Sequence, residues 1–189
     1  MPITPFHLGP GALVKAAAPR HFSFTVFAFS QGLIDLEPIG FFIFTGAPIH
    51  AYLHTYLGAL PVFLVSWWAG RPVGEWALRV WNAWLSPEQA RWLGYQPKIS
   101  TKAAGIGAFI GAYSHVAIDS IMHGDLEPFA PFSPASPWLH LVSLETLHLA
   151  CVAAGIIAGL FVLRWLELNG RSSVTGNALK GEGRKGRSA

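Results

Sequence analysis

The sequence predicts an all-α protein: a polytopic membrane helix bundle of about four transmembrane helices plus one interfacial amphipathic helix. Three observations carry that expectation. Apolar residues fill 52% of the 189 positions and charged residues only 12%, against about 25% charged in soluble domains. Long apolar segments recur along the chain. Histidines and carboxylates, costly inside apolar helices and by default functional there, sit in or beside those segments. Thirteen Phe and eight Trp add to the membrane reading, because aromatic side chains gather at bilayer interfaces.

The elements follow in order. Residues 1–19 carry little charge before Lys15 and are interrupted by Pro and Gly, so they do not read as a cleavable signal peptide. A first apolar segment covers 22–34; it reaches bilayer length only if it continues past Asp35-Leu36-Glu37-Pro38 into 39–44. The second (51–69), third (103–122) and fourth (138–165) approach or exceed the roughly 20 residues needed to cross. Between the second and third, Trp76, Leu78, Trp81, Trp84 and Leu85 alternate with Glu75, Arg79 and Asn82, the pattern of an interfacial helix. Ser86-Pro87 then reads as an N-cap followed by proline at the first helical position. Residues 1–168 form one membrane-embedded domain, and 169–189, rich in Gly, Ser, Lys and Arg, read as a disordered basic cytoplasmic tail. That tail suits anionic lipid; no nucleic acid is expected as a partner.

Charge placement sets the topology. Lys and Arg lie before segment one, between segments two and three, and after segment four, while 35–50 and 123–137 contain none. The positive-inside rule puts both termini and the central loop in the cytoplasm. The outer side then collects the ionisable residues: Asp35 at the end of segment one, His50 and His54 at the start of segment two, and His115, Asp119, His123 and Asp125 toward the end of segment three. His140, Glu145 and His148 of segment four fall on that side too. The same topology leaves His7 on the inside.

On a helix, His115, Asp119 and His123 stack along one face at i, i+4 and i+8. Mixed imidazole and carboxylate donors suit Zn²⁺, Mn²⁺ or Fe²⁺ better than Ca²⁺ or Mg²⁺. His115 and His123 would stand roughly 12 Å apart along the axis, too far for one ion. His115 with Asp119 would hold one ion and Asp119 with His123 another, Asp119 bridging them at the spacing of two-metal hydrolytic sites. His50, His54, Asp35 and Asp125 would complete the shells, with Glu37 or Glu145 as general base or as an orienter of a ligand. The expected cofactor is a divalent transition metal, zinc foremost, with one or two ions. The competing reading of the same residues is a structural polar network, and His21 and His140 read as boundary hydrogen-bonders. Cys151 is the lone cysteine, so no intramolecular disulfide forms, and it reads as a small apolar residue. Gly107 and Gly111 have the Gly-x3-Gly spacing of close helix packing. No phosphate-binding loop, dinucleotide fingerprint or serine nucleophile elbow is present.

Four blocks carry a resemblance: the opening Met1-Pro2-Ile3-Thr4-Pro5-Phe6-His7-Leu8-Gly9-Pro10, Ile34-Asp35-Leu36-Glu37-Pro38, His50-x3-His54-Thr55, and Ser114-His115-x3-Asp119-Ser120-x2-His123. In these, over most of residues 1–137, the chain resembles the YdjM-type membrane-bound metal-dependent hydrolases of bacterial inner membranes. The resemblance implies metal-dependent hydrolysis at a His/Asp-rich helical site, as in zinc phospholipases C and related nucleases. It also implies that His7 joins the site. The expected function is thus an integral-membrane, metal-dependent hydrolase of the inner membrane, acting on phosphoester or lipid-linked substrates at the outer leaflet. The alternative is a non-enzymatic small structural subunit of a larger membrane complex. Membrane lipids, a second copy or a larger assembly are the expected partners. Metal-ion or proton transport is a third reading of intramembrane His/Asp chains.

Overall fold

The computed structural model describes residues 5–47 and 49–185, with side chains from Phe6 to Glu167. Among the described residues it is all-helical. A 3₁₀ turn, Pro5–His7, leads into α1 (Leu8–Ala17), α2 (Phe24–Thr45), α3 (Ala59–Trp84), α4 (Pro87–Leu93), α5 (Thr101–Met122) and α6 (Leu144–Lys185). The expected disordered tail, 169–189, lies outside the residues described with side chains.

Helices α2, α3 and α5 pack mutually and form the core; α1 lies between α2 and α6. Small residues decide how close they come. The buried face of α5 carries Ala104, Ala108, Gly111, Ala112, His115 and Asp119, a stripe that is apolar at its start and ionisable at its end. A side chain at Gly107 would strike the Ser23 carbonyl, and one at Gly111 the Ser30 hydroxyl, so the expected close packing is real and is between α5 and α2. Two apolar clusters fill the remaining space. Val26, Ile99, Ala103, Ala104 and Ala108 pack at one end; Ile34, Ala59, Val62, Ala112 and Val116 pack toward the other.

The helix ends follow local chemistry. Ser23 and Ser100 cap α2 and α5 by accepting from Val26 N–H and Ala103 N–H. Ser86 caps α4 in a reciprocal box with Gln89, as the Ser-Pro signature predicts, satisfying donors the first turn leaves free. Helix α2 stops at Gly46, whose φ of 80° is left-handed and suits a residue without Cβ.

Helix α2 is continuous through Pro38, so the first apolar segment does run on from 22–34 into 39–44 as one helix. Three expectations need correction. The second helix begins at Ala59, not 51, and runs unbroken through Pro72 to Trp84; the expected interfacial helix is its second half. The fourth begins at Leu144, not 138. Among the described residues, two helices are long and apolar enough to cross a bilayer: α2 over Phe24–Thr45 and α6 over Leu144–Glu167. The more polar α3 and α5 do not meet that composition. Large apolar side chains are nonetheless bare over much of the surface, Phe44, Trp68, Trp84 and Leu160 among them.

Candidate metal centre

Four chain segments meet where α5 ends. Helix α2 brings Gln31, Asp35 and Glu37. The connection before α3 brings His50 and His54. Helix α5 brings His115 and Asp119, with His123 at its C-cap. The 3₁₀ turn brings His7, buried against Asp119. The topology expected His7 on the far side; instead the turn and α1 fold back so that His7 reaches the cluster, as the resemblance implied.

The ring nitrogens and carboxylates are close together. His7 Nε2 is 3.2 Å from Asp119 Oδ1. His115 Nε2 is 3.1 Å from Asp119 Oδ2 and 3.4 Å from Asp35 Oδ1, and His54 Nε2 is 3.7 Å from Asp119 Oδ2. Yet the Nε2 atoms of His7, His54 and His115, and Asp119 Oδ1, are buried without any hydrogen bond of acceptable geometry. Buried polar atoms are nearly always paired, so four orphans around the Asp119 carboxylate call for partners that the protein's own groups do not supply. Donors 2.0–2.2 Å from a metal stand roughly 3.0 Å apart in an octahedron and roughly 3.4 Å apart in a tetrahedron. The observed separations, 3.1–3.7 Å, run from just above the octahedral value to just above the tetrahedral one.

The opposite side of each ring is held. His115 Nδ1 is 2.6 Å from Gln31 Oε1, and Gln31 Nε2 donates to the Gly111 carbonyl at 3.0 Å. That second bond fixes the amide orientation, so Oε1 must accept and His115 Nδ1 must donate. A neutral imidazole has one N–H, which leaves the Nε2 lone pair facing two carboxylates. His54 repeats the arrangement, with Nδ1 3.0 Å from Glu37 Oε2. Such partners on the far nitrogen are what orient metal-binding histidines. Glu37 also accepts from the backbone N–H groups of Ala51, Tyr52 and Leu53. It holds the turn that presents His54, and it is an orienter with no free oxygen to serve as the general base.

Asp119 directs its two oxygens to different histidines, as a bridging carboxylate would. Sets of donor atoms within 4.8 Å of one another comprise His7, His115 and Asp119; Asp35, His54 and His115; His50, His54 and Asp119; and His50, His123 and Asp125. The last set lies at a more open edge, where His50 Nδ1 contacts the exposed Asp125 at 3.0 Å. His123 therefore groups with His50 and Asp125, and not with Asp119, because α5 ends at Met122 and its C-cap backbone turns extended. His50 and His54 lie in the connection before α3, His54 in a turn, and not on a helix. Burial lowers the His54 pKa below the ordinary histidine value against the opposing Glu37 bond, and burial also lowers that of His123. Burial raises the Asp125 pKa, but the bonds from His50 outweigh it and the net shift is downward. Neutral histidines and ionised carboxylates are the metal-binding forms.

Helix α6 contributes none of its expected residues to these sets. Glu145 is exposed in its first turn, with no ionic partner among the described residues. His148 stacks on Phe6 at 4.4 Å, and His140 and His21 are exposed. Gln31 was missed by the sequence reading, although a polar residue four positions before Asp35 in an apolar run was a visible signal.

No family model matches the chain, and neither a curated protein nor a solved structure matches it.

Proposed function

We propose that the chain is an integral-membrane, metal-dependent hydrolase of the YdjM type, with a centre of one or two divalent transition-metal ions, zinc foremost. One observation carries the reading: the orphaned Nε2 atoms of His7, His54 and His115 lie 3.1–3.7 Å from the Asp119 carboxylate while Gln31 and Glu37 fix two of the rings from behind. A structural network of charged pairs would align its N–H groups on the carboxylates, and these do not. His7, His54, His115, Asp35 and Asp119 are the inner donors, with His50, His123 and Asp125 at the open edge.

A bound ion of this kind supplies Lewis-acid polarisation and an activated water. The chain's own contribution is orientation and proton handling. Asp119 spans the donor sets, Gln31 and Glu37 fix ring tautomers, and Asp125, paired with His50, keeps its carboxylate ionised at the open edge. In the bilayer, α2 and α6 cross, and α3 and α5 complete a four-helix span whose polar stripe faces inward around the centre. Positive charges put the α1–α2 connection with Lys15 and Arg20, the central loop and the C-terminal segment on the cytoplasmic side of a bacterial inner membrane, and the centre, with the N-terminal turn that carries His7, then lies at outer-leaflet depth. Phosphoesters of lipids and lipid-linked molecules sit at that depth, which favours them as substrates.

The test is hydrolysis by protein stripped with chelator and reloaded with Zn²⁺ or Mn²⁺, screened on phosphomonoester, phosphodiester and lipid substrates. Metal-restored turnover absent from Asp119→Asn supports the reading; turnover indifferent to both would end it. A non-catalytic subunit role is favoured by a separate observation: only 11% of the α6 span is buried, leaving a face for a second copy or a larger complex.

A further inference from the structure

At the opposite end of α5 from the metal centre, roughly 24 Å away along the axis from Asp119 to Ala103, a cleft of about 890 Å³ opens between α1, the start of α2, residues 93–100 and α6. Such a volume is that of ligand sites, roughly 300–1,000 Å³. Its walls are apolar: Ala12, Phe24, Ala158, Val162 and Leu166. Its rim carries Lys15, Arg20 and Lys98, and no carboxylate lines it. Lys15 Nζ donates to the Pro19 and Phe22 carbonyls at 2.6 and 3.0 Å, which pins the ammonium at the rim with a third N–H to spare.

A second cleft of about 290 Å³ shares Ala12, Phe24 and Gly155 with the first and continues along α1 to Phe6 and Cys151. Together they form one groove with a cationic mouth and a narrow apolar extension. An amphiphile with an anionic head and a hydrocarbon tail fits that distribution. The positive flanks put the mouth at the cytoplasmic leaflet, where anionic lipids concentrate.

We propose that this groove binds one anionic phospholipid of the cytoplasmic leaflet, its phosphate at Lys15, Arg20 and Lys98 and an acyl chain between α1, α2 and α6. Helix α6 packs chiefly through α1 and the 3₁₀ turn, so the lipid fills the space that α6 leaves against α2. The inference rests on the membrane placement and not on the metal.

The experiment is native mass spectrometry of the delipidated full chain in mild detergent, titrated with phosphatidylglycerol or phosphatidylcholine. One equivalent of phosphatidylglycerol should bind at least tenfold tighter than phosphatidylcholine. Arg20→Ala/Lys98→Ala, at two exposed positions, should abolish that preference with an unchanged fold by circular dichroism. A Cβ at Gly159 meets nothing within 4 Å, so Gly159→Phe enters the groove and should lower binding of both lipids. Equal binding of the two lipids, a preference that survives the double variant, or binding indifferent to Gly159→Phe would each overturn the proposal. A dimer that forms without lipid would give the groove to a second copy. Recovery of the protein in the soluble fraction would instead sink the membrane placement itself.

Discussion

Gln31 gives the sharpest test of how the centre is organised. Replacing it with Leu keeps the approximate volume and helix propensity but removes the acceptor for His115 Nδ1–H and the donor to the Gly111 carbonyl. The orphaned His115 Nδ1–H costs about 1–3 kcal/mol, while the Gly111 carbonyl keeps the Ser114 hydroxyl, so the variant should lose about 1–3 kcal/mol of stability. The histidine can also then adopt the other tautomer, with its proton on Nε2 where an ion must bind. Loss of such a supporting contact costs about 10–100-fold in metal affinity, or about 1.4–2.7 kcal/mol. Gln31→Glu separates the two effects. It keeps an oxygen on His115, as Glu37 does for His54, and loses only the bond to Gly111. It should be destabilised and still hold metal at near wild-type affinity. Competition against a fluorescent zinc chelator reads affinity, and thermal unfolding in detergent reads stability. A folded Gln31→Leu protein that binds zinc as tightly as wild type would refute the tautomer argument and remove His115 Nε2 from the donor set.

Other perturbations give equally definite outcomes. Glu37→Ala strands the His54 ring and the turn amides of Ala51 and Leu53; a stability loss of about 3–6 kcal/mol should accompany weaker metal binding, measured by thermal unfolding and chelator competition. In the metal-free protein, His54 and His123 stay neutral below the ordinary histidine pKa, while the unfolded chain protonates at about 6.5. At these two groups the unfolded state then binds more protons, so their contribution to stability is full above that pH and falls as pH drops through it. Zinc retention falls over the same range, because protons compete for the same nitrogens; thermal midpoints and bound zinc between pH 8 and 5 check both. Gly107→Ala presses a methyl onto the Ser23 carbonyl and should cost about 1–3 kcal/mol, whereas Gly32→Ala meets nothing within 4 Å and should stabilise by up to about 1 kcal/mol. Glu145→Ala should leave metal content unchanged by elemental analysis, since Glu145 stands outside every donor set.

Periodicity and spacing made the core of this arrangement readable in the sequence. His115 and Asp119 at i, i+4 on a face of Ala and Gly point inward because only small residues let α2 approach there. The helix over 101–122, the Ser86 cap and the gathering of Asp35, His50 and His54 follow from similarly local patterns. What escaped depends on contacts between distant segments. Helix α2 runs through Pro38, although Asp35-Leu36-Glu37-Pro38 reads as a break. Residues 51–58 have the apolar content of a helix start, but Glu37 takes their amides and makes a turn of them. Pro72 sits inside α3, which therefore runs on past residue 69, the end of the apolar segment. His7 reaches Asp119 because α1 packs between α2 and α6, and a charge-based topology contains no term for that. Glu145 has the right depth in sequence but the wrong helix, for α6 attaches mainly through α1 and turns its first polar residues outward.

The most direct test of the central claim is the metal content of the full chain, purified in mild detergent and measured by elemental mass spectrometry beside a His115→Ala/Asp119→Asn variant. The account requires one or two equivalents of a transition metal in the wild type and a loss of at least the inner equivalent in the variant. Well-folded wild-type protein that holds no metal, even after incubation with zinc or manganese, would contradict it and leave the His/Asp cluster as a structural polar network.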